Sequence, residues 1–276
     1  MQLLVLGLGY CAAHFAAACA TMGGRITAVR SRAGPGVLAL DSPELPAAIA
    51  AATHILSSVP PAPDGSDPVL AAHRDKLAAA PARWVGYLSS TGVYGDTGGA
   101  WVDETAPLQG RRAGRLAADL EWQALHPAAR VFRLPGIYGP GRSALDRLRA
   151  GANAPVGSNP VARIDLPGHV FSRVHVEDIT GALLASTRRG APGVYNLCDD
   201  EPAPGEAVTA HAARLLGQVP PPLQSLADAR LSPMGRAFYG ECRRVANGKM
   251  TRDLGYTLRY PDYRSGLAAC LEEMMR

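Results

Sequence analysis

The sequence predicts a doubly wound α/β fold with a parallel sheet, because short apolar runs alternate with helical segments along the chain. The first run, residues 3–6, leads into a glycine-rich turn and then into an Ala-rich helix at 13–22. Further strands are predicted at 25–29, 37–40, 54–56, 84–88, 130–134 and 194–197. Composition agrees with this class, since 47% hydrophobic and 19% charged residues can build a large core. We therefore predict a Rossmann-type parallel sheet with a small C-terminal substrate-binding region.

The turn after the first strand has the glycine spacing of a dinucleotide-binding turn. Gly7 allows the sharp turn, Gly9 lets the backbone approach a pyrophosphate, and the small Ala12 lets the helix pack on the strand. The pyrophosphate would lie at the helix N-terminus, where free N–H groups and the helix dipole favour an anion. A tight strand–helix turn without a ligand is the alternative interpretation. We predict that Gly7, Gly9, Tyr10 and Ala12 contact a nicotinamide dinucleotide.

The residues after the second strand bear on the choice between NAD and NADP. An acidic residue at this position binds the ribose 2′-hydroxyl of NAD, whereas arginine suits the 2′-phosphate of NADP. Here Arg30, Ser31 and Arg32 follow the strand, and none of them is acidic. We therefore predict NADP as the cofactor, with NAD as the alternative. The arginines could instead be solvated loop residues, and Asp41 could serve the adenine side.

Small and hydroxyl residues also follow three further strands. An open α/β sheet gathers its ligands at the carboxyl ends of its strands, so we expect such residues to face the cofactor. The predicted contacts are Ser57, Ser58 and Val59 after the fourth strand, Ser89 in the fifth, and Pro135 and Gly136 after the sixth.

Four motifs occur in the order typical of a known superfamily. They are the glycine turn, Ser-Ser-Thr-Gly-Val-Tyr-Gly at 89–95, Arg-Leu-Pro-Gly-Ile-Tyr-Gly-Pro-Gly at 133–141 and Val-His-Val-Glu-Asp-Ile at 174–179. Weaker matches lie at 194–197, 199–202 and 254–256. On these motifs the sequence resembles the extended short-chain dehydrogenases/reductases, which include NAD-dependent nucleotide-sugar epimerases and dehydratases. The resemblance spans most of the chain and implies the same fold.

The resemblance also implies a catalytic set: a Ser or Thr after the fifth strand and a Tyr-x-x-x-Lys pair on the next helix. Ser90 matches the hydroxyl position. The best match to the helix motif places Ala113 and Ala117 where tyrosine and lysine should stand, and the chain contains no Tyr-x-x-x-Lys. The sequence therefore resembles an atypical member that has lost the standard proton relay.

Other groups could replace the missing pair. We predict that Ser90 orients the substrate oxygen and that Tyr94 acts as acid/base, with Arg112 as the cation that lowers the pKa of the tyrosine. Arg111 or Arg112 could instead bind an anionic substrate or stabilise an oxyanion, and Tyr138 follows the sixth strand. The alternatives are a buried Tyr94 whose hydroxyl is satisfied, and arginines on a solvated helix face.

His175, Glu177 and Asp178 also invite an acid/base interpretation. They open a predicted helix that runs through Ser186, and acidic residues in a first turn usually complement the helix dipole. We therefore favour a structural role for this group.

Other classes of function find little support. The five cysteines include no C-x-x-C and the histidines lack metal-ligand spacing, so we predict reduced thiols, no metal and a cytoplasmic location. The net charge of +4 comes without a dense basic tract, so we predict no nucleic-acid partner. No apolar run reaches membrane-spanning length, the N-terminus lacks the features of a signal peptide, and we predict no membrane partner.

We expect one extended domain over 1–276. Its dinucleotide-binding part is mainly 1–135 with 171–197, and its substrate part is mainly 136–170 and 198–276. In the substrate part we predict helices at 143–150, 205–217, 226–241 and 263–275, and a Pro- and Gly-rich segment at 157–168 that is either a lid or a surface loop. A short strand is predicted at 171–174, where the chain returns from the substrate part.

The predicted function is that of an NADP-dependent oxidoreductase or epimerase/dehydratase-like enzyme on a small polar, sugar-like substrate. The alternative is a redox-inactive NAD(P)-binding sensor or scaffold, and a homodimer is compatible with the sequence. The retained Ser90 and Tyr94 favour the enzyme, whereas the missing Tyr/Lys pair favours the sensor.

Overall fold

The computed structural model describes residues 1–152, 163–231 and 233–276. Its strands are β1 (Gln2–Leu6), β2 (Arg25–Arg30), β3 (Val37–Ala39), β4 (His54–Ser57), β5 (Trp84–Ser90), β6 (Trp101–Val102), β7 (Ala129–Leu134), β8 (Gly136–Tyr138), β9 (Arg163–Asp165), β10 (Arg173–His175), β11 (Gly193–Asn196), β12 (Leu223–Ser225) and β13 (Arg244–Val245).

The α-helices of the described residues alternate with these strands. They are α1 (Tyr10–Thr21), α2 (Leu45–Ala51), α3 (Pro68–Ala78), α4 (Ala113–Leu125), α5 (Ala144–Ala152), α6 (Val176–Ser186), α7 (Gly205–Leu215), α8 (Pro233–Phe238) and α9 (Tyr263–Met274). A 3₁₀ turn at Thr91–Tyr94 follows β5, and a π-helical turn spans Met250–Leu254.

Seven parallel strands form the main sheet in the order β11-β7-β5-β4-β1-β2-β3. The strand order reverses between β1 and β4, because the chain builds outward from β1 in one direction and then from β4 in the other. In open α/β sheets the ligand crevice lies at the carboxyl ends of the strands at such a switch point. The predicted doubly wound parallel sheet is confirmed.

The sheet is buried on both faces because successive side chains of a strand point to opposite sides. In β1 the odd residues Leu3 and Val5 pack towards α1 and α6, and the even residues Leu4 and Leu6 pack towards α2, α3 and α4. Helix side chains complete the two layers: Phe15, Ile179 and Leu183 on the first face, and Ile49, Leu70 and Trp122 on the second.

A smaller layer lies beside the carboxyl edge of the main sheet. Helices α5, α7 and α9 share an apolar cluster that includes Leu145, Leu148, Ala212, Ala213 and Leu267. Three short strand pairs accompany it, β8 with β10, β9 with β12 and β6 with β13. These elements therefore form one wall of the space in front of the sheet.

The prediction of a helix at 226–241 is wrong over most of this segment. After β12 the described residues form turns, and the helix is limited to α8 at Pro233–Phe238. Proline lacks an N–H group and disfavours helical geometry at the preceding residue, so a helix begins at Pro233 and does not run through it. Of the segment predicted as a lid or loop, residues 157–162 lie outside the described residues, and 163–165 form β9.

Within the described ranges, none of the helices is both long and apolar enough to cross a membrane. The same ranges hold no cluster of His, Cys, Asp and Glu side chains that could ligate a metal ion.

Candidate functional site

The glycine turn lies at the centre of the carboxyl edge of the sheet, and the two residues that follow β4 hold it in place. Gly7 has a φ of +86°, and a Cβ placed there would lie 2.7 Å from Cγ2 of Val59, so no other residue fits. Ser58 donates a backbone hydrogen bond of 2.8 Å to the Leu6 carbonyl, and its hydroxyl donates to the Gly7 carbonyl. Ser58 and Val59 therefore determine the conformation of the turn by direct contact.

Gly9 leaves open space next to the start of α1. A Cβ at Gly9 would meet only the Ser58 hydroxyl at 3.9 Å, so the space beside this backbone is free of other protein atoms. Gly9 is also the N-cap of α1, with no side-chain cap and no acidic residue in the first turn. The positive end of the helix is thus left uncompensated by protein groups, as an anion site requires.

The next residues of α1 face the protein interior and a neighbouring loop. Ala12 is fully buried between helix and sheet, as its small size predicts. The Tyr10 hydroxyl donates a 3.0 Å hydrogen bond to the Pro140 carbonyl, and Arg142 lies 5.5 Å above the tyrosine ring. Tyr10 therefore joins the glycine turn to the loop after β8.

The residues predicted to choose the cofactor lie at the exposed end of β2. Arg30 reaches over the glycine turn and donates a 3.3 Å hydrogen bond to the Leu8 carbonyl. Ser31 and Arg32 are exposed, as is Asp41 beyond β3. The Arg30 guanidinium thus lies next to the turn.

Two serines predicted to face the cofactor are buried in the sheet. Ser57 is fully buried, and its hydroxyl has no hydrogen-bond partner among the described residues. Ser89 is also buried, and its hydroxyl donates a 2.5 Å hydrogen bond to Asp119 of α4. This contact turns Ser89 towards α4, so its placement does not favour the predicted cofactor contact.

Ser90 lines a cavity of about 370 Å³ at the end of β5. Its hydroxyl accepts a 3.1 Å hydrogen bond from the Gly92 N–H and caps the 3₁₀ turn. Arg111, Arg112 and Arg115 line the same cavity. We call it the Ser90 cavity; it brings together Ser90 and Arg112, two of the three predicted catalytic residues.

Tyr94, the third predicted catalytic residue, lies in the core. It is 1% exposed, and its hydroxyl donates a 2.7 Å hydrogen bond to Oδ1 of Asn196 and accepts a 3.0 Å bond from Nη1 of Arg133. Burial raises its pKa, although the Arg133 guanidinium acts in the opposite direction. Tyr94 does not line the Ser90 cavity, so this placement does not favour the predicted proton transfer.

The first turn of α4 carries arginines where the resemblance implies the catalytic helix motif. Ala113 and Ala117 are exposed and contribute no polar group. Arg112 is the N-cap of α4 and Arg115 follows three residues later, so both lie on the same face of the helix. The sequence interpretation missed Arg115, although this i, i+3 spacing from Arg112 was visible in the sequence.

Arg111 is held in place by the segment after α8. Its Nε lies 2.8 Å from Oε1 of Glu241, and its Nη2 donates a 2.7 Å bond to the Ala237 carbonyl. Arg243 pairs with the other oxygen of Glu241 at 2.7 Å. Burial raises the pKa of Glu241, but hydrogen bonds from Arg243 and Arg111 outweigh this effect, so its pKa is lowered. Arg111 and Arg243 thus share one carboxylate, whereas Arg112 and Arg115 form no ion pair with a described residue.

A second cavity, of about 540 Å³, adjoins the Ser90 cavity. It lies between α5, α7 and α9 and is called the helical cavity below. Pro135, Gly136, Phe171 and Phe238 line both cavities. The two phenylalanine rings stack at 4.2 Å where the two cavities meet. Pro135 and Gly136, predicted as cofactor contacts, therefore lie at the junction.

His175 has a structural role, in agreement with the favoured interpretation. It is buried, and its Nδ1 accepts a 3.3 Å hydrogen bond from the Glu177 N–H at the start of α6. Burial lowers its pKa to about 4, so the imidazole is neutral near pH 7. Asp178 is fixed as well, because it accepts hydrogen bonds of 2.8 Å from the Tyr256 hydroxyl and 2.7 Å from the Arg259 N–H.

A buried ion pair behind Ser90 was not foreseen from the sequence. Arg133 and Asp119 are 2% and 0% exposed, and they form two hydrogen bonds, of 2.7 and 3.1 Å. Asp119 also accepts bonds from Ser89 and Gln123, while Arg133 reaches Tyr94. The pair ties α4 to β7 and so supports the wall that carries Arg112 and Arg115.

Comparison with known proteins gives relatives over the whole chain, although no family model matches it. A conserved protein of unknown function from Silicibacter pomeroyi DSS is 44% identical, with 99% of this chain and 98% of that protein covered and a TM-score of 0.86. The chain belongs to the same family as this protein.

Solved structures of lower sequence identity share the fold. The human epimerase family protein SDR39U1, solved with NADPH, is 18% identical, covers 99% of each chain and has a TM-score of 0.75. MoeE5, solved with UDP-glucuronic acid and NAD, is 22% identical, covers 100% of this chain and 99% of its own, and has a TM-score of 0.74.

Two curated relatives match part of the chain. Protein YeeZ of Escherichia coli K12 is 32% identical over 182 residues, which are 64% of this chain and 58% of YeeZ. A 3-diazoavenalumate denitrifying reductase of Streptomyces is 30% identical over 145 residues, 51% of this chain and 46% of that protein. The chain therefore matches only about half of the length of these relatives.

Proposed function

We propose that the protein is an NADP-dependent oxidoreductase that acts on a small polar substrate held in the Ser90 cavity. The observation that carries the proposal is that Ser90, Arg112 and Arg115 line one cavity at the end of β5. The sequence predicted either an oxidoreductase or an epimerase/dehydratase-like enzyme. Both reactions include a hydride transfer, so the proposal covers both.

The residues present fit a nicotinamide dinucleotide. The open side of Gly9 can admit a pyrophosphate, and the buried Ser57 hydroxyl lacks a partner among the described residues. Gly7, Gly9 and the first turn of α1 would hold the pyrophosphate, and Arg30 a 2′-phosphate. The solved superfamily members with NADPH or NAD support this assignment. When bound, the cofactor supplies or accepts the hydride.

The protein's own contribution is orientation and charge stabilisation. The Ser90 hydroxyl orients the substrate oxygen, and Arg112 and Arg115 stabilise the negative charge that develops on it. Among the described lining residues of the Ser90 cavity, the titratable side chains are arginines and Glu241, and Glu241 is held by two arginines. Proton exchange is therefore with water, and Tyr94 has a structural role.

The second candidate is a redox-inactive sensor or scaffold that binds the dinucleotide. One observation favours it: Ala113 and Ala117 leave α4 without a proton-donating side chain on its first two turns. The two functions differ in whether bound NADPH is ever oxidised by a substrate.

The test has two stages. NADPH and NADH are titrated into the protein, and NADPH oxidation is then screened against small carbonyl compounds and sugar nucleotides. On any active substrate, Arg112→Gln is expected to lower kcat by roughly 10²–10³-fold, as for the loss of an oxyanion donor, and Ser90→Ala to lower it as well. The matched control is Arg188→Gln, an exposed arginine beyond α6 at the opposite edge of the sheet. Tight NADPH binding without turnover of any substrate would favour the sensor instead.

A further inference from the structure

The helical cavity is large, built from several elements and distinct in character from the Ser90 cavity. Its floor is formed by β8 and β10, and its walls by α5, α7 and α9. Val208 and Leu267 provide apolar surface, and Thr209, Tyr239 and Tyr263 provide hydroxyl groups. It joins the Ser90 cavity at Pro135 and Gly136, so one elongated molecule can occupy both.

The charged side chains that line this cavity are all basic. Arg142, Arg147 and Arg173 line it, and no Asp or Glu does so among the described residues. Arg147 makes no ion pair with any described residue. Arg173 donates from its Nη1 to the backbone carbonyls of Phe171 at 2.8 Å and Ala203 at 2.9 Å, which carry no net charge. Two guanidinium groups therefore face the cavity without a carboxylate to neutralise them.

Two acids lie near these arginines, but neither lines the cavity or forms an ion pair with a described residue. Asp146 precedes Arg147 on α5, but its Oδ2 accepts hydrogen bonds of 2.7 and 2.6 Å from the N–H and hydroxyl of Ser143. Asp199 lies behind Arg173, is 2% exposed, and has no hydrogen-bond partner for either carboxylate oxygen among the described residues. Burial raises the pKa of Asp199 to about 8, although the Arg173 guanidinium acts in the opposite direction.

Burial also lowers the pKa of Arg173. The charge of Asp199 acts in the opposite direction, and the charge of Arg147 adds a smaller effect in the same direction as burial. Two arginines held close together in a concave wall repel each other. An anion placed between them removes this repulsion, because a carboxylate or phosphate accepts two parallel hydrogen bonds from a guanidinium.

We propose that the helical cavity is an oxyanion site, in which Arg147 and Arg173 bind a phosphate or carboxylate group at the end of the substrate remote from its reacting carbon. The assignment of this anion to the substrate rests on the proposed function, because the reacting carbon occupies the Ser90 cavity. The substrate is thus an organic anion long enough to pass the stacked Phe171 and Phe238.

The test measures anion binding without any cofactor. Sodium phosphate and, separately, sodium acetate are titrated into the full chain by calorimetry, with ionic strength held constant by chloride. We expect saturable binding that weakens roughly tenfold or more in Arg147→Gln, as for the loss of a charged hydrogen bond. The matched control is Arg149→Gln, an exposed arginine on the same helix that does not line the cavity, which should bind like the wild type.

A third variant locates the anion. Arg30→Ala removes the cation at the glycine turn and should leave phosphate binding at the helical cavity intact. Loss of binding in Arg30→Ala with full binding in Arg147→Gln would overturn the proposal, as would equal binding in the wild type and Arg147→Gln. Arg147 holds no backbone group in place, so its variant should fold, which circular dichroism checks.

The two probes also distinguish the chemistry of the substrate. Tighter binding of phosphate indicates a phosphorylated substrate, and tighter binding of acetate indicates a carboxylate. The anion titration contains no NADPH, so its result does not depend on hydride transfer. The substrate screen tests hydride transfer separately, and either experiment can fail while the other succeeds.

Discussion

Asp119→Ala tests how strongly the buried ion pair supports the candidate site. Asp119 is fully buried and accepts hydrogen bonds from Nη2 and Nε of Arg133 at 2.7 and 3.1 Å, from Ser89 at 2.5 Å and from Gln123 at 2.7 Å. Burial alone would lower the pKa of Arg133, but the hydrogen bonds and charge of Asp119 raise it above its ordinary value. Arg133 therefore stays charged, and the variant leaves this charge in the core without a partner.

The expected loss is large because an uncompensated buried charge is costly. Removing one partner of a buried pair typically costs about 3–5 kcal/mol. For a domain of this size, each kcal/mol lowers the Tm by about 2–4 °C, so Asp119→Ala should lower it by roughly 6–20 °C. The free energy of unfolding from urea titration should fall by a matching amount.

Glu121→Ala is the matched control on the same helix. Glu121 also pairs with an arginine, Arg74, but both side chains are more than 40% exposed. An exposed pair contributes about 0–1 kcal/mol, so this variant should lower the Tm by at most about 4 °C. The double variant Asp119→Leu with Arg133→Met should be more stable than Asp119→Leu alone, because neither charge is then left unpaired. Equal losses for Asp119→Ala and Glu121→Ala would refute this reasoning.

Four further outcomes are expected. Arg30→Ala should weaken NADPH binding roughly ten- to hundredfold and leave NADH binding nearly unchanged; equal affinities of the wild type for both cofactors would contradict NADP preference. Gly9→Val should abolish dinucleotide binding in a folded protein, since its side chain would fill the open space beside the turn; fluorescence titration measures this, and unchanged affinity would make the turn purely structural. Tyr94→Phe should destabilise the fold by about 1–3 kcal/mol, because two buried partners lose a hydrogen bond, while turnover is retained; a selective loss of turnover would return Tyr94 to the chemistry. Folding raises the pKa of Asp199 from 3.8 to about 8, so between these pH values the folded protein binds one more proton than the unfolded chain. The free energy of unfolding should therefore fall as the pH rises from 4 to 8, by at most about 1.4 kcal/mol per pH unit. The same pH dependence of stability in the wild type and in Asp199→Asn would exclude this linkage.

The local sequence was sufficient to predict the strands of the main sheet and the glycine turn. Each strand of the main sheet was predicted within one or two residues of its position, because buried parallel strands are continuous apolar runs bounded by turn residues. Gly7 was expected to allow the sharp turn, and its φ of +86° agrees with this expectation. These features depend on residues close together in the chain.

The second half of the chain was harder to predict. The segment 226–241 has the composition of a helix, but Pro233 begins a new helix inside it. The short strands β8, β9, β10 and β12 pair with one another outside the main sheet, over separations that no local pattern encodes.

Only the tertiary structure decided which side chains of the site meet. Tyr94 and Ser90 are four residues apart, yet the 3₁₀ turn at Thr91–Tyr94 directs the tyrosine into the core and leaves the serine at the cavity. Arg147 lies on α5 and Arg173 on β10, 26 positions apart in the chain, and both line the helical cavity. A sequence pattern gives the periodicity of each element, but the direction of a polar side chain depends on the long-range packing that buries its neighbours. For this reason the sequence alone determined the fold and the glycine turn, whereas the partners of Tyr94, Asp119 and the cavity arginines were decided by the packing of distant elements.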